Sequence, residues 1–260
     1  MSSGRLVSRP VFHLDRQNML KSFFAAAETG GATVATRLSN PRLQSGETLR
    51  GEVRVCGGAV DQRIAKIELL LLAEAAGERG GETLLLASLP VSGPCRIPAG
   101  CEWRLPFLLP LPEATPVNCH PALGGEPLVW VHTDLALGQA RDAGDSDRLQ
   151  VLPPPRMEAL LQAFSRLGWE LAGAGVEAGI AYVGGVAGSL GCYQELELRP
   201  RDAGWNWSQI RLTLVPDSHG VVHVWMEIAG DGRDYCLSLR MEPGWEAVDW
   251  TAEIRARLGL

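Results

Sequence analysis

The sequence predicts an all-β protein, built as two tandem β-sandwich domains with a few short helices. Three observations carry this. Short runs with the period-two alternation of strands recur along most of the chain. Glycine and proline, at 30 and 17 residues, punctuate those runs as turns between many short strands would. The triple proline Pro153-Pro154-Pro155 is stiff and extended, and it stands between two stretches of similar strand spacing, where a hinge is needed. A chain of 260 residues is long enough for two small domains, each with its own core. Two sandwiches joined at the prolines is the economical arrangement.

The elements follow in order. Asp15 to Glu28 is a short helix candidate with Met19, Leu20, Phe23, Phe24 and Ala27 on one side, stopped by Gly30-Gly31. Its apolar side is suited to covering a sheet edge or to association. Thr33 to Leu38 and Thr48 to Cys56 read as a hairpin on a longer loop, with turn chemistry at Asn40-Pro41 and Ser45-Gly46. In the second strand Leu49, Gly51, Val53 and Val55 point one way and Arg50, Glu52 and Arg54 the other. Arg63 to Ala73 is too apolar at Leu69 to Leu72 to alternate, so it is expected as a central strand covered on both faces, with Glu82 to Leu89 as its return partner. Trp103 to Leu109 and Leu128 to Leu137 complete the first domain, and the proline-studded segment Pro110 to Pro127 cannot be an interior strand. Arg148 to Leu152 leads into the prolines. Arg156 to Leu167 follows as a helix, with Met157, Leu160, Leu161, Phe164 and Leu167 at helical spacing and Gly168 as its stop. Strands resume from Trp169, most clearly at Cys192 to Leu198, Gln209 to Val215 and Val221 to Ile228, and Trp245 to Leu258 closes the chain as a helix. The expected boundaries are 1–28 for an N-terminal extension with its helix, 29–152 for the first sandwich, and 153–260 for the second, with an opening and a closing helix.

Composition narrows the function classes. Forty-six per cent hydrophobic and 21% charged residues are ordinary for a globular protein. The net charge of −6 argues against a general nucleic-acid or anionic-membrane binder. The only lysines are Lys21 and Lys66, a bias towards arginine that fits a GC-rich genome. No apolar run approaches the roughly 20 residues that span a bilayer, and the first residues lack the apolar core of a secretory signal. The six cysteines, Cys56, Cys95, Cys101, Cys119, Cys192 and Cys236, have no framework spacing and are expected as reduced thiols in a cytoplasmic protein.

Several constellations bear on chemistry. Ala187-Gly188-Ser189-Leu190-Gly191 is a variant of the nucleophile elbow, with His219 and His223 downstream, but a strand rather than a helix follows it, which favours a glycine loop. Gly184, Gly185 and Gly188 have no lysine and no helix after them to complete a phosphate loop. Asp142, Asp145 and Asp147 lack the alternation and distal glutamate of a calcium loop and suit turn and strand-entry chemistry. Cys95, Cys101, Cys119 and His120 lack the paired spacing of structural zinc, so no metal or cofactor is expected. Of the eight tryptophans, Trp103 and Trp130 sit in apolar strands and read as core. Trp205 and Trp207 fall on the same side of an extended chain, where they can lid the sandwich, stack on a sugar or anchor a partner.

Two stretches carry a resemblance. Ala32 to Ala73 contains the opening T-x-L run, the S-G-E-x-x-x-G-E-V turn and strand, and the G-G-x-V-D-Q-x-I connection. Val129 to Leu167 contains V-W-V-x-T-D-L, the D-S-D-R strand entry and the proline-to-helix hinge. From about Met19 to Leu167 the chain resembles the bacterial sporulation-control protein M family, which implies an arrestin-like fold of two sandwiches and a scaffolding or regulatory role. The same resemblance makes residues 1–18 an extension or a mis-assigned start. Three functions then stand side by side. The first is a non-catalytic cytoplasmic scaffold or regulator of sporulation or development, binding other proteins through sheet edges, with Trp205 and Trp207 as the candidate contact. The second is a carbohydrate- or small-ligand-binding module using those tryptophans, and the third is a hydrolase with Ser189 as nucleophile.

Overall fold

A computed structural model describes residues 30–75, 81–137, 143–202, 206–230 and 234–259. The helix expected over Asp15 to Glu28, together with Asp142 and Trp205, lies outside them. In the first half, β1 (Thr33–Leu38), β3 (Thr48–Cys56) and β7 (Glu102–Pro110) form one antiparallel sheet. β5 (Glu82–Ser92), β4 (Gln62–Ala75), β8 (Val129–Leu137) and β9 (Ala143–Arg148) form the second, with β6 (Cys95–Ile97) pairing on β4. The two sheets face each other across Val34, Leu49, Val53, Ile67, Leu71 and Val131, all at most 2% exposed. The expected alternation in β3 is realised, with Leu49, Val53 and Val55 at 0% exposure. Gly51 shares that face because a β-carbon there would come within 2.6 Å of the Arg37 carbonyl oxygen and 2.7 Å of the Phe107 ring.

β4 is flanked by strands on both sides, as its apolar run requires. A register shift against β5 at Leu71/Leu72 breaks the alternation, and Leu71, Leu72 and Ala73 are all buried. The loop carrying Asn40-Pro41 and Ser45-Gly46 is not a plain hairpin connection. It contains β2 (Arg42–Gln44), which pairs in parallel with β10 (Gln150–Leu152). The acidic segment expected as a turn is itself a strand: Asp145 and Asp147 lie on β9, opposite Thr133 and Val131. β9 ends at Arg148, and Leu149 separates it from β10.

After the prolines comes α1 (Pro155–Arg166), which buries Met157, Leu160, Ala163 and Phe164; Gly168 follows its C-cap Leu167, and a φ of 87° suits the left-handed turn past a helix. Burying each large apolar side chain on that face is worth about 1.5–3 kcal/mol relative to leaving it in water. β11 (Trp169–Ala178), β14 (Cys192–Pro200), β15 (Trp207–Pro216), β16 (Val222–Gly230) and β17 (Tyr235–Met241) form a five-stranded antiparallel sheet in that order. A two-stranded hairpin, β12 (Tyr182–Val183) and β13 (Val186–Ala187), packs on β16. The closing helix is shorter than Trp245 to Leu258. A 3-10 turn, Trp245–Ala247, precedes an extended Val248, and Asp249 then caps α2 (Trp250–Leu258) by accepting from the amides of Thr251 and Ala252. α2 packs on α1, and both join the apolar face of the sheet through Phe164, Trp169 and Ile254. The core tryptophans are therefore Trp169, at 0% exposure, and Trp250, at 8%, whereas Trp103 and Trp130 are half-buried. The fold is mostly strand and arrestin-like.

Candidate functional site

The sandwiches meet at a cleft that neither would form alone. The loop after β7, held against β10, forms one wall. Asn118 fixes that loop: its Nδ2 donates to the carbonyls of Pro127 and Leu149 at 3.1 Å, and its Oδ1 accepts from the Val151 amide at 2.8 Å. One residue earlier, Val117 meets the second sheet. The Gln194 side chain accepts from the Val117 amide at 2.9 Å and donates to its carbonyl at 2.7 Å, so it pairs with the loop as a strand neighbour would. Gln44 donates to the Pro153 carbonyl at 3.0 Å and ties the first proline to β2.

Between these ties lies a cavity of about 400 Å³. Ser45 and the Glu113 to Thr115 segment line it from the first half, the start of α1 from the hinge, and the ends of β14 and β15 with Trp245 from the second half. Arg156 lines it from the first turn of α1. Its Nη2 donates to the Gly220 carbonyl at 2.7 Å, and its guanidinium carbon sits 5.8 Å from the Trp245 ring centroid, within cation–π range. Its Nε is buried and has no hydrogen-bond partner, and neither has Ser45 Oγ, in a residue only 7% exposed. Sequence reasoning missed Arg156, Ser45 and Gln194; the one legible signal was the arginine that follows three prolines at a helix start.

Ser189 also lines this cavity, but neither His219 nor His223 hydrogen-bonds to it among the described residues. His223 Nε2 instead pairs with Asp217 Oδ2 at 3.0 Å. That bond first, then the amides of Val221 and His219, holds the Asp217 carboxyl down to about 2. Cys192 is buried at the cavity wall, and desolvation pushes its thiol up to about 11, away from the reactive thiolate. Cys95 lies on β6, Cys101 in the turn before β7, and Cys119 beside His120 in the loop after it. Among the described residues no three His, Cys, Asp or Glu side chains gather as metal ligands would.

Trp207 opens β15 and packs edge-on against Tyr235, ring centroids 6.0 Å apart. The cavity touches the other end of that strand, at Leu214 to Pro216, so Trp207 stands roughly 25 Å away at 3.3 Å per residue. A further polar group lies inside the first sandwich. Asp145 Oδ2 accepts from the Thr36 amide at 2.6 Å, and the Thr36 and Thr133 hydroxyls bond each other. Asp147 Oδ2 is buried without a partner, and burial first, then the Asp145 charge, pushes its carboxyl up to about 6. On the neighbouring β8, burial holds the His132 imidazole below its usual range.

The family described as SpoOM protein matches residues 20–232. The sporulation-control protein spo0M of Bacillus subtilis (strain 168) is 32% identical over 158 residues, which span 59% of this chain and 59% of that relative's length. The crystal structure of Spo0M, sporulation control protein, from Bacillus subtilis superposes with a TM-score of 0.74 at 24% identity, covering 88% of this chain and 98% of that one.

Proposed function

Because this chain belongs to the SpoOM protein family, we propose that it is a non-catalytic regulator that acts by binding other proteins, in the cytoplasm and within a developmental programme such as sporulation. The observation that carries this reading is the joint. Two sandwiches, which we divide at Leu152, are held together by side-chain ties, a proline hinge and apolar packing of β11 on β4 rather than by a continuous sheet. Small changes at such a joint alter which strand edges and loops face a partner. The sheet of the second half supports the same role. Its outer face carries Glu195, Arg211 and Glu227, with Arg211 bridging the two carboxylates at 3.5 and 2.8 Å, a polar surface suited to reversible contact. Trp207, at the far end of β15, and Trp205 remain the proposed anchors.

The test is affinity capture of the tagged protein from its native host, followed by mass spectrometry, with Trp205→Ala/Trp207→Ala in parallel. A reproducible set of proteins, depleted in the double variant, is the expected result. Equal recovery from the tagged strain and an untagged control would remove the proposal.

A further inference from the structure

We infer that the cleft is a binding site for a small monoanion with an apolar body, such as an aryl or acyl carboxylate. Four observations converge on it. First, the cavity of about 400 Å³ lies within the usual size range of small-molecule sites. Second, most of its wall is apolar, with Met157, Leu214, Val215, Val222 and Trp245 facing a ligand's body.

Third, the positive end of α1 opens on it. Pro154 sits at the N-cap position and offers no side-chain cap, and Arg156 and Met157, which line the cavity, carry first-turn amides that have no acceptor within the helix. Fourth, two side chains on the wall keep unused donors: Arg156 through Nε and Ser45 through Oγ. An unpaired buried donor costs free energy that an arriving acceptor recovers. A helix terminus, a guanidinium and a hydroxyl from separate elements thus converge on one cavity.

The charge inventory selects the class of anion. Among the described residues Arg156 is the only basic one on the wall, and Glu113 and Glu246 lie exposed on it. A single guanidinium beside two carboxylates suits one negative charge and opposes two, so a carboxylate fits and a dianionic phosphate does not. The wall draws on both halves and on the hinge, so the ligand would brace the joint itself.

The test uses the full chain and titration calorimetry with 1-naphthylacetate, its neutral isostere 1-naphthylacetamide, and inorganic phosphate. The acid is expected to bind at least about tenfold more tightly than the amide, the loss expected when a charge-assisted hydrogen bond is removed. Arg156→Met should weaken it by about tenfold or more and Ser45→Ala by about threefold. Arg104→Ala, on the exposed face of β7 and outside the cavity wall, should leave it unchanged. If Arg156→Met does not fold, the acid–amide comparison and Ser45→Ala still decide. Equal binding of acid and amide, no binding of the acid up to millimolar concentration, or displacement of the acid by phosphate would each overturn the inference.

Discussion

Replacing Asp147 with asparagine should make this protein more stable at pH 7.5 and leave it unchanged near pH 4. The carboxyl is raised from 3.8 to about 6, first by burial and second by the charge of Asp145. A gap of about two units corresponds to about 3 kcal/mol at 1.36 kcal/mol per unit. Asp147 is only partly buried, and solvent screening reduces that to about 1–1.5 kcal/mol. A raised carboxyl binds its proton more tightly when folded. Its contribution is therefore fully present below pH 3.8, shrinks as pH rises, and is lost above about 6. The wild type at pH 7.5 bears the cost of an ionised group whose Oδ2 has no partner; Asp147→Asn has no charge to desolvate. His132 slopes the other way. Its imidazole is depressed by burial, so its contribution is present above about 6.5 and is lost as pH falls. The wild-type pH curve is thus a partial cancellation, and the difference between wild type and variant isolates Asp147. Urea unfolding of both proteins at pH 4 and pH 7.5 measures it. A variant that is less stable at pH 7.5, or a stability difference that does not change with pH, would refute the reasoning.

The other predictions concern the joint. Asn118→Ala strands two carbonyls and one amide in a buried loop and should cost about 3 kcal/mol or more in denaturant unfolding; a loss under about 1 kcal/mol would show that the loop holds itself. Gln194→Ala should cost about 1–3 kcal/mol and speed amide exchange at Val117, whereas Gln194→Glu, which can accept but not donate, should fall between. Unchanged exchange at Val117 in Gln194→Ala would mean that this contact does not hold the sandwiches together.

Much of the first sandwich was legible because its signals are local. Alternation in Thr48 to Cys56 assigns the inward face residue by residue, and the unbroken apolar stretch Leu69 to Ala73 has few homes other than the middle of a sheet. The α1 stripe and its Gly168 stop read equally well. What failed was pairing without pattern. Three residues, Arg42–Gln44, cannot announce a strand, and β2 exists because β10 runs beside it in parallel, more than a hundred positions later. β9 was hidden by composition: Asp, Gly and Ser are turn residues, and they form a strand here because β8 supplies the ladder and the Thr36 amide satisfies Asp145. Trp245 to Leu258 looked continuous because helical spacing crosses the break, yet Asp249 offers its carboxylate to two amides and starts a new helix there. The cleft was the least legible feature. Gln194 is an ordinary member of an alternating strand until Val117 lies opposite it, and Arg156 is a helix residue until Trp245 and Gly220 surround it.

The same facts show why a regulatory role and a cleft ligand are compatible. A scaffold with a rigid, fully paired interface between its halves would have one set of exposed edges. Here the directed bonds between the halves are few, Gln194 to Val117 and Gln44 to Pro153 at the hinge, beside apolar packing where β11 meets β4. At roughly 1 kcal/mol each, such bonds are of the size that one bound ligand can outweigh. The unpaired Nε of Arg156 and Oγ of Ser45 sit among these ties, so an anion engaging them adds its binding free energy to the joined arrangement alone. By linkage, any partner that prefers the joined arrangement would bind more tightly when the cleft is filled, and the cleft ligand would bind more tightly in the presence of that partner.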